Sequence, residues 1–375
     1  MRIGIDAHAI GSRLGGNETY ITGLLSALGR AESPHEFVAY FASEEAAEPW
    51  RERYANFVVR VFKTPSLPRL LAELPIRAAA DRLDLLHVQY VAPPVRSVPA
   101  VATIHDICYE FMPQFFSRSE VIQFRIAIRW TARHARRILT VSEASKRDLV
   151  NIYNVPPSRI DVTYNGVDLS RFRPPSGDAQ VGTVLAGYKI NGPYVLAVGN
   201  LQPRKNLVRL IEAFVHLKRI RPDLPHHLVL VGKAAYRHSE IFARVRDYGL
   251  EKQVIFTGYV PDRDLPVLYQ RASAFAYPSL YEGFGLPVVE AMACGVPVLT
   301  SDRGSLPEVV GNAAILIDPE DTRAIADGLL RTLTNPDLSA RLSARSVQRA
   351  RTFTWENAAS ATLQAFETAA ARERV

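Results

Sequence analysis

The stretch "SAFAYPSLYEGFGLPVVEAMACGVPVLTS", residues 273–301, carries the pattern on which the reading of the chain turns. An apolar run, "SAFAY", has strand character and ends near Tyr277. The loop "PSLYEGFG" follows, and a helix is expected from about Leu286, with Pro287 in its first turn, where a missing N–H does no harm. The helix "LPVVEAMAC" stops near Gly295, a residue suited to the position just past a helix end. "VPVLTS" is then a second strand. Strand, loop, helix and strand in so short a span predict a βαβ unit and, with it, a parallel sheet. Glu282 falls on the loop and Glu290 inside the helix, while Gly283 and Gly285 free the backbone for close approach of a ligand. Free amides at a helix start suit a phosphate, and carboxylates accept hydrogen bonds from sugar hydroxyls. Taken alone, the same letters also describe a surface loop with an ordinary acid on each side.

Outward from this unit the alternation continues. "YVLAVGN", a helix from about Leu207, "HHLVLVG", another helix and "VIFTGY" precede it, and together these make one parallel α/β sheet. In the first half, "RIGID" at 2–6, "EFVAYFA", "NFVVRVF", "LLHVQY", "AVATIHD" and "RILTVS" alternate with helical patterns in the same way. The polar segment 174–191 between the halves reads as a linker. We therefore expect an N-terminal Rossmann-like domain over 1–173 and a C-terminal one over 192–354. Their parallel sheets face a cleft, the usual ligand position for open α/β sheets. "FTWENAASATLQAFETAAARE" is a final helix, about 355–375, with Trp355, Ala359, Leu363 and Phe366 on one face.

Composition narrows the class. The 375 residues are 47% hydrophobic and 22% charged, as in soluble globular proteins. No apolar run approaches the roughly 18 residues that span a bilayer, and the opening "MRIGIDAHAI" lacks a signal-peptide pattern. Cys108 and Cys294 are too few and too scattered for a disulfide framework or a metal site. A reduced, cytoplasmic protein is expected. The formal charge of +7 is concentrated in "RIAIRWTARHARR", residues 125–137, where Arg125, Arg129 and Arg133 recur every four residues and Arg136 and Arg137 extend the stripe. Either this is a solvated helix face, or it attracts anionic lipid headgroups at the inner face of a membrane or an acidic acceptor. Nucleic acid is disfavoured, because no recognised binding motif accompanies the charge.

A second cluster lies in "AVGNLQPRKNL", residues 197–207. A strand ends at Val198, and Gly199 opens a loop that carries Arg204 and Lys205 to a helix start. Adjacent cations there neutralise a diphosphate, Arg by a bidentate fork and Lys as a point charge.

These pieces, "PRKNL" and then "VIFTGYVPDRDLPVLYQRASAFAYPSLYEGFGLPVVEAMACGVPVLTSDRGSLPEVVG", resemble the donor-binding half of the retaining glycosyltransferases of family 4, of GT-B fold. Fragments of the first half, "GGNETY", "TIHD", "TVSEASKRDL" and "YNGVDLSRF", extend the likeness more thinly. The resemblance implies that Glu290 binds the ribose hydroxyls and that Glu282 lies near the transferred sugar. It implies that the backbone of Gly283, Phe284, Gly285 and Leu286 touches sugar and phosphate, and that Lys205 holds the diphosphate. Many members carry an arginine after the glycine matched by Gly199, where this chain has Asn200, and Arg204 is the candidate replacement. Gly15 and Gly16 resemble the family's glycine-rich loop, which closes on the diphosphate, although such a pair is also a common tight turn. His105 resembles the histidine that contacts the transferred sugar. Asp106 and Asn17 are assigned to the acceptor side. Asn165 and Ser142 look like family landmarks near the cleft and linker, and read equally well as turn and cap.

The resulting expectation is a metal-independent, retaining hexosyltransferase with His105, Glu282, Lys205 and Arg204 as catalytic residues. No cofactor is expected beyond the substrate nucleotide sugar. GDP-mannose is the favoured donor and a UDP-hexose the other. A saccharide or lipid-linked acceptor is the expected partner. Transfer of this kind is described as front-face displacement, with catalysis by positioning and charge stabilisation. The alternatives are a nucleotide-sugar-binding protein without transferase activity, and an epimerase or phosphorylase on the same fold.

Overall fold

The structure is a computed structural model, and it describes residues 1–12, 15–95, 98–175, 177, 181–234 and 238–371. The chain divides into two compact units, Met1–Gly166 with Thr354–Val375, and Val167–Phe353. Each is an open parallel sheet covered by helices.

In the first unit, β1 (Arg2–Asp6), β2 (Glu36–Phe41), β3 (Phe57–Val61), β4 (Leu85–Gln89), β5 (Ala100–Thr103), β6 (Arg137–Thr140) and β7 (Ile160–Val162) lie in the order β3-β2-β1-β4-β5-β6-β7. Strands β4, β5 and β6 are buried throughout, which explains their continuous apolar spelling. The order reverses between β1 and β4. Such a topological switch point leaves a crevice beyond the carboxyl ends of two neighbouring strands. The three-residue β7 had no counterpart among the expected strands, being too short to carry an alternation.

The C-terminal helix Trp355–Ala371 packs on the first helix, Gly16–Arg30. Gly23 makes the approach possible, since a Cβ there would meet the Trp355 indole at 2.1 Å. Its buried face is Trp355, Ala358, Ala359, Thr362, Ala365, Phe366 and Ala369, so Thr362 takes a core position and Leu363, expected there, is only half-buried. The Phe366 ring lies 5.5 Å from that of His87 on β4. Of this segment, residues 372–375 lie outside the described residues.

The second unit holds β8 (Tyr194–Val198), β9 (His227–Val231), β10 (Val254–Gly258), β11 (Ala274–Tyr277), β12 (Val298–Ser301) and β13 (Ala314–Ile317), ordered β10-β9-β8-β11-β12-β13. The helix Leu207–Ile220 fills one face of its core with Leu210, Ile211, Phe214 and Leu217. Here the switch point lies between β8 and β11. The unit begins at Val167 because Phe172 is buried against the Tyr269 ring, 5.9 Å away. The stretch 174–191, expected as a linker, carries the helix Val181–Gly187 and belongs to this unit, with residues 176 and 178–180 outside the described ones.

Candidate functional site

The second switch point collects the charged residues singled out above. Gly199, directly after β8, has φ +146°, and the Lys205 Cε lies 3.2 Å from where a Cβ would stand. A short 3₁₀ turn, Pro203–Lys205, then turns both cations towards the end of β11. Arg204 Nη1 meets Glu282 Oε2 at 2.7 Å, and Lys205 Nζ meets Oε1 at 2.7 Å. Arg204 also donates to the Tyr281 carbonyl at 2.6 Å, Lys205 to the Tyr277 hydroxyl, and Ser279 Oγ to Glu282. Glu282 is 7% exposed. Burial alone pushes its carboxyl up, but Arg204, Lys205 and the Ser279 hydrogen bond reverse this and hold it at about 2. The cluster is one anion with two cations, and it keeps a net positive charge beside a sheet edge. Such a charge surplus attracts a phosphate chain.

The loop beyond Glu282 is held from beneath. Ser305 Oγ donates to the carbonyls of Glu282 and Phe284 at 3.0 Å each. Gly304, at φ +58°, passes so close that a Cβ would lie 2.9 Å from the Glu282 carbonyl oxygen. Gly285 adopts φ +101° and starts the helix Leu286–Ala293. The Phe284 ring is buried against Phe353, centroids 5.5 Å apart, so only the backbone of this residue is placed to meet a ligand. Glu290 is half-buried on that helix and accepts a hydrogen bond from Tyr269 at 2.8 Å. Burial raises its carboxyl to about 7, with the Tyr269 bond only partly compensating. Tyr269, Tyr277, Ser279 and Ser305 were not read from the sequence, because apolar and small residues before and after a glycine loop spell ordinary core.

In the first unit, β5 ends at Thr103, so His105 and Asp106 follow the strand rather than close it. His105 is buried, donates from Nε2 to Gln89 Oε1 at 3.0 Å, and meets the Tyr20 ring edge-on at 4.6 Å. Burial, with a smaller contribution from His87, lowers it to about 3, so the imidazole is neutral near pH 7 with its lone pair on Nδ1. It offers an acceptor to a sugar hydroxyl and is too weak a base to hold its proton. Asp106 caps the turn that follows, accepting from the Cys108 amide at 3.0 Å. Ser142 caps the helix Glu143–Tyr153 through the Ser145 amide at 3.0 Å. Asn165 is buried, and its Oδ1 has no hydrogen-bond partner among the described residues. Gly15, at φ +78°, and Gly16 are exposed at the start of the first helix, and of their loop Arg13 and Leu14 lie outside the described residues.

A cavity of about 310 Å³ opens at the first switch point. Asp6 ends β1 and Gln89 ends β4, and Arg69 reaches in from a π-helical turn, Arg69–Glu73. Arg69 Nη1 donates to Asp6 Oδ1 at 3.1 Å, and His8 Nδ1 lies 2.9 Å from the same oxygen. Asn17 also lines this cavity. No spacing in the sequence points to Arg69 in this place, and the legible signal is Asp6, a lone carboxylate closing a buried strand.

The arginine stripe is corrected in part. The helix ends at His134, and Arg137 lies in β6, 6% exposed, with Nη2 2.6 Å from Asp161. Apolar neighbours in the sheet dictate its inward position, which no helical spacing reveals. Arg125 pairs with Glu110 at 2.8 Å and Arg129 at 3.7 Å. Arg118, Arg125 and Arg133 remain exposed, beside Ile122 and Ile126 at 58% and 68% exposure. Among the described residues, no helix is long and apolar enough to cross a membrane, and no three His, Cys, Asp or Glu side chains group as metal ligands would.

Two parallel Rossmann-like sheets, each with polar groups gathered at its switch point, define a GT-B fold. The solved structure of HepE from Anabaena, in complex with UDP and glucose, has that likeness, with a TM-score of 0.77 and 20% identity over 98% of this chain and 100% of that one. The chain matches the family model of glycosyl transferases group 1 over residues 187–349 and that of Glycosyltransferase Family 4 over residues 14–171. It is 36% identical to O-antigen chain mannosyltransferase B of Escherichia coli over 275 residues, which cover 73% of this chain and 71% of that protein. It is 32% identical over 241 residues to O-antigen chain mannosyltransferase RfbU of Salmonella typhimurium, with 64% and 63% covered. The chain belongs to the glycosyltransferases of this family.

Proposed function

We propose that the protein transfers a hexose, mannose in the favoured case, from a nucleotide diphosphate sugar to a saccharide or lipid-linked acceptor, with retention at the anomeric carbon. The observation that carries this reading is the Arg204–Glu282–Lys205 cluster at the second switch point, with its surplus positive charge. Arg204 and Lys205 then hold the diphosphate, and Glu290 accepts from the ribose hydroxyls. Gly199, Gly283, Gly285 and Leu286 present backbone to phosphate and sugar. Gly15 and Gly16 close on the diphosphate from their loop. Mannose is favoured by the two mannosyltransferase relatives, and GDP is the nucleotide we assign to it.

Charge built up on the leaving diphosphate is balanced by these two fixed cations, which act where a divalent ion acts elsewhere. We therefore propose metal-independent transfer. His105 positions a sugar hydroxyl through Nδ1, and the departing phosphate takes the acceptor proton. A cytoplasmic protein resting on an anionic membrane face through Arg118, Arg125, Arg133, Ile122 and Ile126 fits a lipid-linked acceptor.

Calorimetric titration with GDP, UDP, GDP-mannose and UDP-glucose tests the donor assignment. Guanine nucleotides are expected to bind and to lose at least tenfold in affinity in Glu290→Ala. Binding of UDP compounds alone would replace the base, and binding of none by the folded protein would refute the donor site.

A further inference from the structure

We propose that Asn206 is a positioning residue of the donor site: its side-chain amide fixes the turn that carries Arg204 and Lys205, and through them the grip on a diphosphate. This rests on the reading of those two cations as diphosphate ligands, and it adds a residue that acts through them rather than on the ligand.

Backbone geometry comes first. Asn206 joins the 3₁₀ turn Pro203–Lys205 to the helix Leu207–Ile220 and has φ +59°, in the left-handed region that residues other than glycine rarely occupy. Its amide N–H donates to the Pro203 carbonyl at 2.9 Å, and its carbonyl accepts from the Leu210 amide at 3.1 Å. Turn and helix therefore meet at this one residue. The left-handed step redirects the chain, so the two preceding side chains reach Glu282 while the helix returns to the core.

Side-chain valence comes second. Asn206 is 4% exposed, and its Nδ2 donates to the Pro278 carbonyl at 3.0 Å and to the Pro319 carbonyl at 2.6 Å. Its Oδ1 accepts from Arg209 Nη1 at 3.1 Å, which sets the way the amide faces. Both amide hydrogens are thus committed to backbone. Pro278 directly follows β11, and Pro319 lies shortly after β13. One amide therefore ties the loop after β8 to the loops after two other strands of the same sheet. The Arg204 carbonyl is held beside it, accepting from the Leu280 amide at 2.9 Å and from Ser279 Oγ at 3.1 Å.

Charge gives this clamp its use. The ion pairs with Glu282 also hold Arg204 and Lys205, but an incoming diphosphate competes for the same cations. The bonds from the Asn206 amide to the two proline carbonyls join neutral groups, and that competition leaves them intact. They keep both cations in place while the counter-charge changes, and groups already in place incur no ordering cost on binding.

The test is calorimetric titration of the full chain with GDP, at low and at high sodium chloride, on wild type, Asn206→Gly and Arg209→Ala. Glycine keeps the left-handed turn and deletes the clamp. Arg209→Ala releases the amide oxygen without altering the turn, so one variant remains readable should the other unfold. Asn206→Gly is expected to bind GDP about tenfold more weakly at low salt, and Arg209→Ala roughly threefold. Both differences shrink at high salt, because what has been lost is contact with two cations, which salt screens. A role in folding alone would lower Tm and leave the salt dependence as in wild type. Wild-type affinity in both variants, or losses of equal size at the two salt concentrations, would overturn the assignment. Should UDP prove to be the ligand, the same outcomes are read with UDP. A folded wild type that binds neither nucleotide refutes the donor site itself, and the clamp falls with it.

Discussion

Replacing Glu282 by Gln removes the carboxylate that Arg204 and Lys205 share, while keeping its shape. Two routes give the magnitude. The carboxyl is held at about 2 against an ordinary 4.5, which at ~1.4 kcal/mol per pH unit is about 3 kcal/mol of stability at neutral pH. Breaking a buried ion pair by deleting one partner costs about 3–5 kcal/mol. Arg204 keeps the Tyr281 carbonyl and Lys205 the Tyr277 hydroxyl, so the lower value is expected. For a domain of about 150–250 residues this lowers Tm by roughly 6–12 °C. The sign with pH follows from the depressed value. The contribution is full above about 4.5 and disappears as pH falls through about 2, so wild type and variant converge over that window. Differential scanning calorimetry at pH 7 and across the acid range measures both. Saturating GDP should raise the Tm of Glu282→Gln more than that of wild type, because the diphosphate supplies the missing anion. An unchanged Tm at pH 7, or an equal GDP effect in the two proteins, would refute the claim that the two cations depend on a buried counter-charge.

Glu290 leads to a second pH effect. Its carboxyl is raised to about 7, and only the ionised form accepts from both ribose hydroxyls. Nucleotide affinity should therefore fall about tenfold from pH 8 to pH 6, and Glu290→Gln should flatten the profile; a wild-type profile with no slope removes the ribose role. Transferase activity should survive excess EDTA, and loss restored by manganese would show that Arg204 and Lys205 do not replace a metal. Changing Ile122 and Ile126 together to Ser should abolish co-sedimentation with anionic vesicles and leave nucleotide binding intact. Equal sedimentation would leave that helix face merely solvated.

Much of this protein is written locally. The βαβ unit at 273–301 is spelled by its apolar runs, its Gly-Phe-Gly turn and Gly295, and the helix starts where expected, at Leu286. Lys205 and Glu282 were legible as members of one site, because strands of a parallel sheet all end on one edge and their loops must gather there. Period and punctuation are enough for that. They do not set the partners within the site. That Arg204 and Lys205 close on Glu282, that Ser305 supports the loop from 23 residues away, and that Arg137 is turned inward onto Asp161 depend on packing between distant segments. The first cavity shows the difference most clearly. Asp6, Arg69 and Gln89 are far apart in the chain and carry no shared spacing. Strand order alone brings β1 beside β4, and a π-helical turn aims Arg69 at the gap. Sequence determined the alternation of strands and helices and the edge at which the connecting loops gather, since both follow from local pattern. Only the tertiary structure decided which buried charges neutralise one another, because that depends on distances through space.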